Sequence, residues 1–289
     1  MRTLLALVVL LAAGSPPVSA RELKLATWNL EWLTARPAGD PALPADVQPK
    51  GDADIAILRR YAALLDADVV AFQEVDGPEI AARIFPPEYY ALHLTEDHVV
   101  QRVGFAVRRG VAFTANADLR ALDLYPNAVR HLRSGADITL RLGDGRALRV
   151  LAVHLKTGCR EDGLAGSARS ECVTLRGQLV PLQSWVAARR EAGEPFVLMG
   201  DFNRWLDGGR EGFWMGLTEG GTLGRATAGR TSPCWGGGGF IDHILAGGAA
   251  QEWMDAASLR VLVYREKGAA WKERLSDHCP VSVRLRVPE

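Results

Sequence analysis

The feature that most constrains this chain is a set of short apolar runs, each stopping at a polar residue. Leu25-Ala26-Thr27-Trp28 leads into Asn29, and Val69-Val70-Ala71-Phe72 into Gln73-Glu74. Val150-Leu151-Ala152-Val153 leads into His154, and Phe196-Val197-Leu198-Met199 into Gly200-Asp201. Runs this short read as buried strands. Strands are therefore expected at residues 23–29, 69–75, 104–107, 138–142, 148–155, 196–199, 240–245 and 281–287. Helical spacing of apolar residues marks 54–65, with an acidic first turn, and 175–192, which stops at Gly193. Many strands with few helices favour an α/β fold of two packed sheets with helices outside.

The first twenty residues have a different purpose. Arg2 supplies a positive start, residues 4–13 are continuously apolar, and Val18-Ser19-Ala20 offers a small-residue cleavage site behind Gly14-Ser15-Pro16-Pro17. That layout is a signal peptide over residues 1–20, too short to span a bilayer. Residues 21–289 are then expected as a single secreted or periplasmic domain. No later segment reaches ~20 continuous apolar residues, so no stable membrane insertion is expected. Residues 37–49, with four prolines, read as a surface loop and not as a linker.

Charge narrows the partners. There are 34 Lys and Arg against 34 Asp and Glu, so losing Arg2 with the leader leaves one more acid than base. Such a balance gives little long-range pull on a polyanion. Phosphate would have to be drawn locally, by a metal ion and a few arginines. Arg102, Arg108, Arg109, Arg130 and Arg133 lie between Glu74 and His154, and Arg130 and Arg133 are the candidates for substrate contact.

Four cysteines in an exported chain suggest two disulfides. Cys159 and Cys172 bracket a polar loop without periodicity, which a crosslink would stabilise by roughly 3 kcal/mol in the entropy model. By elimination Cys234 pairs with Cys279. No CxxC pair supports a zinc site. Gly236 to Gly239 is not a phosphate loop, because no Lys-Ser or Lys-Thr follows and a strand comes next. It is instead a flexible rim that would let Trp235 approach a substrate.

The strand ends carry the chemistry. With a period of two, Asn29 and Glu31 share one side of a strand, and a carboxamide beside a carboxylate suits a hard cation. Glu74 ends a buried run, where a carboxylate needs a partner or a metal. His154 is either a satisfied core residue or a donor to a phosphate oxygen. Asp201 and Asn203 could hold and polarise a water, or form an Asx-bonded turn. Asp242 and His243 are polar residues inside a strand and demand partners. Leu275-Ser276-Asp277-His278-Cys279-Pro280 precedes the last strand, and Asp242 is paired here with His278, leaving Asp277 for a metal.

In order, these six motifs resemble the endonuclease/exonuclease/phosphatase superfamily, including its pancreatic-type deoxyribonuclease and AP-endonuclease group. The resemblance covers residues 24 to 285. It implies a four-layer α/β sandwich, two packed mixed sheets flanked by helices. It also implies a metal-dependent phosphoric ester hydrolase. Asn29 and Glu74 resemble the principal metal ligands, with Glu31 and Asp277 assisting. Asp201 and Asn203 resemble the pair that positions the nucleophile and scissile phosphate, Asp242 and His278 the carboxylate–histidine dyad, and His154 the second histidine on the phosphoryl group. The implied cofactor is Mg²⁺, or else Mn²⁺ or Ca²⁺. His278 is preferred over Asp201 as acceptor of the water's proton. The leading expectation is a monomeric nuclease or phosphodiesterase acting on phosphate esters such as nucleic acid. A sphingomyelinase-type phospholipase, an inositol phosphatase and a catalytically inactive toxin or binding subunit are the alternatives.

Overall fold

Each of the eight apolar runs falls wholly or largely on a strand in the computed structural model, which describes residues 20–129, 131–143, 145–207 and 211–288; the run at 240–245 enters its strand only at Asp242. The expected leader lies outside the described residues up to Ala20, as does Arg130. In chain order the first strands are β1 (Ala20–Leu33), β2 (Val69–Val75), β3 (Tyr90–Leu94) and β4 (Arg102–Arg108). There follow β5 (Phe113–Ala115), β6 (Ala136–Arg141), β7 (Ala147–His154), β8 (Phe196–Asp201) and β9 (Gly224–Arg225). The hairpin β10 (Thr231–Ser232) and β11 (Gly238–Gly239) precedes β12 (Asp242–Gly247), β13 (Met254–Val261) and β14 (Val281–Pro288).

These strands form two six-stranded mixed sheets, ordered β13-β14-β1-β2-β4-β3 and β5-β6-β7-β8-β12-β9. Their inner faces meet in one core in which Leu25, Val69, Phe105 and Val283 pack with Ile138, Val150, Met199 and Ile244. Helices α1 (Asp52–Leu65) and α2 (Pro78–Ile84) cover the first sheet through Leu58, Leu65, Ile80 and Ile84. Helices α3 (Ser170–Glu191) and α4 (Gly212–Thr218) cover the second through Leu175, Leu182, Phe213 and Leu217. The result is a four-layer α/β sandwich, two packed mixed sheets flanked by helices. Its core strands are apolar on both faces because each sheet is covered twice.

The sequence pattern missed the short edge elements. Strand β3 has only one fully buried residue in five, and β5 has none, so neither carries a strong apolar signal. Helix α3 also begins five residues earlier than expected, at Ser170, because its first turn mixes exposed Ser170 and Val173 with buried Cys172 and so carries no apolar periodicity. Both expected disulfides, Cys159–Cys172 and Cys234–Cys279, are formed.

Candidate active site

Two parallel strand pairs fix where the site lies. β1 pairs in parallel with β2, and β7 with β8, whereas the other neighbours among the described residues are antiparallel. Parallel neighbours finish at the same edge, so Asn29 sits opposite Gln73 and His154 opposite Asp201. β12 starts where β8 ends and places Asp242 beside Asp201. β14 runs back along β1, with Val281 opposite Thr27, and the turn before it hydrogen-bonds to Asn29 through Ser276 Oγ at 2.7 Å. One edge of the double sheet therefore gathers six distant segments. This is the crevice at strand C-termini in which α/β proteins bind ligands.

Asn29 joins the two sheets. Its Nδ2 donates to Glu74 Oε1 at 3.0 Å and to Asp201 Oδ2 at 3.1 Å. Its Oδ1 accepts the Glu31 N–H at 2.9 Å, so the second lone pair of that oxygen is what it can offer a cation. Trp32 N–H holds the other oxygen of Glu74 at 3.1 Å. Glu31 does not reach the site by strand alternation, as the sequence reading assumed. The pairing of β1 with β2 slips between Asn29 and Leu33, and Glu31 and Trp32 adopt φ of 43° and 50°. A bulge re-aims the side chain. Glu74 and Asn203 also have positive φ, 63° and 52°. Left-handed backbone at non-glycine residues is strained, and it is concentrated here.

Glu31, Glu74 and Asp277 form an anionic group open to solvent. Asp277 N–H donates to Glu31 Oε2 at 3.0 Å, and the buried Lys50 ammonium bonds the Glu31 carbonyl. Burial, followed by the charges of Asp277 and Glu74, lifts the Glu31 carboxyl to about 7 against the pull of Lys50. Carboxylates crowded with so little compensation are what a divalent cation relieves. Their donors are all oxygen, the set that Mg²⁺, Mn²⁺ and Ca²⁺ favour over softer metals. The residues therefore fit such an ion.

Asp201 is fully buried and accepts from Asn203 N at 2.7 Å and Asn203 Nδ2 at 3.0 Å as well as from Asn29. Of the two arrangements expected for Asp201 and Asn203, the Asx-bonded turn is formed, at the edge where the six segments meet. Gly200 is obligatory there. At φ of 143°, a Cβ would stand 2.1 Å from the Val153 carbonyl oxygen. Burial raises the Asp201 carboxyl to about 7, with the His278 charge opposing that rise.

The expected dyad is formed, with His278 Nδ1 2.8 Å from Asp242 Oδ2. Nε2 faces Asp201 and Asp277, each at 3.7 Å. Burial works against charge on His278, but Asp242 and Asp201 outweigh it and hold the ring protonated well above its ordinary range. Asp201, Asp242 and His278 also lie close enough to suggest a metal cage. With Nδ1 committed to Asp242, the group is better suited to handling protons. His154 Nε2 lies 3.5 Å from Glu74 and 3.6 Å from Asp201. Burial, then Arg133 and His278, keep this second histidine neutral. Its Nδ1 finds no partner among the described residues.

Arg133 donates from Nη2 to the Leu155 carbonyl at 3.3 Å, and its Nε has no partner among the described residues. Arg102 is turned away, bonded to the Asp76 carbonyl, and Arg108 and Arg109 serve Asp66 and the Pro87 carbonyl. Sequence reasoning missed Lys50, which follows the proline-rich loop without any motif. It also missed Tyr264, whose hydroxyl receives Trp28 Nε1 at 2.9 Å and donates to the His278 carbonyl at 3.1 Å. Only the fold brings residues so distant in sequence together.

The endonuclease/exonuclease/phosphatase family model matches residues 26–278, and the chain belongs to that family. It is accordingly a metal-dependent hydrolase of phosphoric esters. Among solved structures, the truncated TDP2 of Caenorhabditis elegans superposes with a TM-score of 0.59 at 13% identity, over 92% of this chain and 98% of that one. A family protein from Bacteroides thetaiotaomicron gives 0.56 at 14% identity, over 93% and 99%. The 3′ phosphatase NExo from Neisseria, bound to a product DNA hairpin, gives 0.58 at 16% identity, over 91% and 99%. At these identities the likeness establishes the fold. No curated protein is matched by sequence.

Proposed function

We propose that the protein is an exported phosphodiesterase of nuclease type, using Mg²⁺ or Mn²⁺ and acting as a monomer. The observation that carries the catalytic reading is the single cluster formed by Asn29, Glu74, His154, Asp201, Asp242 and His278. Export is supported by the leader-like first twenty residues and by two disulfides, which persist in oxidising compartments. Among the described residues no helix is long and apolar enough to cross a membrane. A nucleic-acid substrate is favoured by the DNA bound to the Neisseria phosphatase and by a single-stranded DNA product bound to the Danio rerio TDP2.

Glu31, Glu74 and Asp277, with the Asn29 oxygen, are assigned to the cation. When bound, the cation supplies charge neutralisation at the phosphoryl oxygens and the departing oxygen. Asp201 is assigned the water's proton, and Asn203 the placing of the water against phosphorus. The O–P bond to water forms as the bond to the leaving oxygen breaks, with no covalent enzyme intermediate. This assignment departs from the sequence preference for His278, because the charges of Asp242 and Asp201 favour the protonated imidazole, which has no lone pair to offer. His278 instead donates Nε2–H to a phosphoryl oxygen. His154 Nε2 and Arg133 are assigned to the remaining oxygens. Arg130 remains a candidate contact from the sequence alone.

Purified protein assayed on plasmid DNA, RNA, sphingomyelin, inositol phosphate and bis-p-nitrophenyl phosphate tests this reading. DNA and the aryl diester should be cleaved, with activity abolished by EDTA and restored by Mg²⁺ or Mn²⁺. Preferential cleavage of sphingomyelin would move the protein to the phospholipase branch, and inertness towards every ester would contradict the reading.

A further inference from the structure

We propose that the cavity beside the Asp242–His278 dyad is a nucleotide subsite, taking the base and next phosphate of a strand whose scissile phosphate lies at Asp201 and His278. The proposal rests on the phosphodiesterase reading of that centre and names the substrate class it serves. The cavity has a volume of ≈ 200 Å³ and is bounded by Asp277 and His278 on the catalytic side and by Arg160, Trp205, Trp235 and Lys272 beyond them.

Cys234–Cys279 lines this cavity, and Cys159–Cys172 braces the loop that supplies Arg160. The same loop is gripped by the buried Arg204, which donates to the carbonyls of Cys159 and Asp162 at 2.8 Å each. Trp205 N–H holds the Arg160 carbonyl at 3.0 Å. On the other side, Cys234–Cys279 ties the glycine-rich turn to the residue following His278. Trp235 stacks on Tyr264 at 5.4 Å and donates Nε1 to the Ser276 carbonyl at 2.9 Å. The rim expected from the glycine run as a flexible element is thus braced, and the glycines have another use. A Cβ on Gly239 would stand 2.6 Å from the Trp205 ring, so only glycine lets that indole lie against the hairpin.

Inside this braced frame, the two cationic side chains facing the cavity are left uncommitted. Arg160 and Lys272 are exposed, and neither side chain has an ion-pair or hydrogen-bond partner among the described residues, although most arginines of this chain do. Both indoles remain partly exposed. Indoles stack on bases of any sequence, and flanking cations track the phosphates between them. A lipid tail would need an apolar wall, and a simple phosphate monoester would leave both indoles unused.

The test compares wild type with the Arg160→Ala/Lys272→Ala double variant and with Trp205→Ala. Substrates are a 5′-phosphorylated dinucleotide and bis-p-nitrophenyl phosphate, which offers neither a nucleobase nor a second phosphate. In either variant the ratio of kcat/KM for the dinucleotide over the aryl diester should fall about tenfold, the scale of one or two charge-assisted or stacking contacts. Calorimetric affinity for thymidine bisphosphate should fall by a similar factor in the double variant, and Arg160→Lys/Lys272→Arg should recover most of it. An unchanged ratio and unchanged affinity in an active enzyme overturn the subsite while leaving the phosphodiesterase intact. A wild type that cleaves neither substrate overturns both.

Discussion

His243 shows what keeps a polar side chain inside a strand. Its ring is completely buried, with Nδ1 2.7 Å from Thr227 Oγ1 and Nε2 3.0 Å from the Arg204 carbonyl. The carbonyl can only accept, so Nε2 carries the proton and the Thr227 hydroxyl donates to Nδ1. Burial first of all depresses the ring to about 4, against about 6.5 in an unfolded chain. The unfolded state therefore takes up a proton between these values while the folded state does not. Stability is full above about pH 6.5 and declines as pH falls towards 4, by a few kcal/mol at about 1.4 kcal/mol per unit. Urea midpoints at pH 7 and pH 5 should show the decline in wild type and a smaller one in His243→Gln. Equal pH dependence in the two would remove His243 as its source. The sequence identified the need for partners at this position but not Thr227, because their pairing depends on a loop with no pattern of its own.

Among elements, the strand ends were the most legible part of the site. Apolar runs name a strand and its final polar residue, which is how Asn29, Glu74, His154 and Asp201 could be read directly. What alternation could not show is the bulge at Glu31 and Trp32, because a left-handed residue leaves no mark in an apolar pattern. The turn before β14 was legible as Ser276-Asp277-His278, yet its supports were not. It is braced by Cys279 through the disulfide to Cys234, by Tyr264 on the His278 carbonyl, and by Ser276 Oγ, which receives the His278 N–H at 3.0 Å and donates to the Asn29 carbonyl. Replacing both Cys234 and Cys279 with serine should lower stability by about 4 kcal/mol, the longer loop costing more than the Cys159–Cys172 one. It should also lower kcat, because His278 loses one of its braces. Urea unfolding together with kcat on bis-p-nitrophenyl phosphate reads both effects. A variant as stable and as fast as wild type would show that the crosslink supports neither.

For the molecule as a whole, doubly covered sheets explain why the strands are nearly continuous apolar runs and why polar groups collect at the edge. Fold class follows from counting such runs. Sheet order does not, because the first strand, β1, pairs with the last, β14, across nearly the whole described chain. The central claim is that six segments, far apart in sequence, meet around one divalent cation and divide its binding from proton handling. Titration of Mn²⁺ into wild type, Glu74→Gln and His278→Ala, with turnover measured on the same preparations, tests that division most directly. Glu74→Gln should lose both cation affinity and turnover, whereas His278→Ala should bind the ion as wild type does and lose about a hundredfold or more in kcat. Undiminished Mn²⁺ affinity and turnover in Glu74→Gln, or full turnover in His278→Ala, would contradict it.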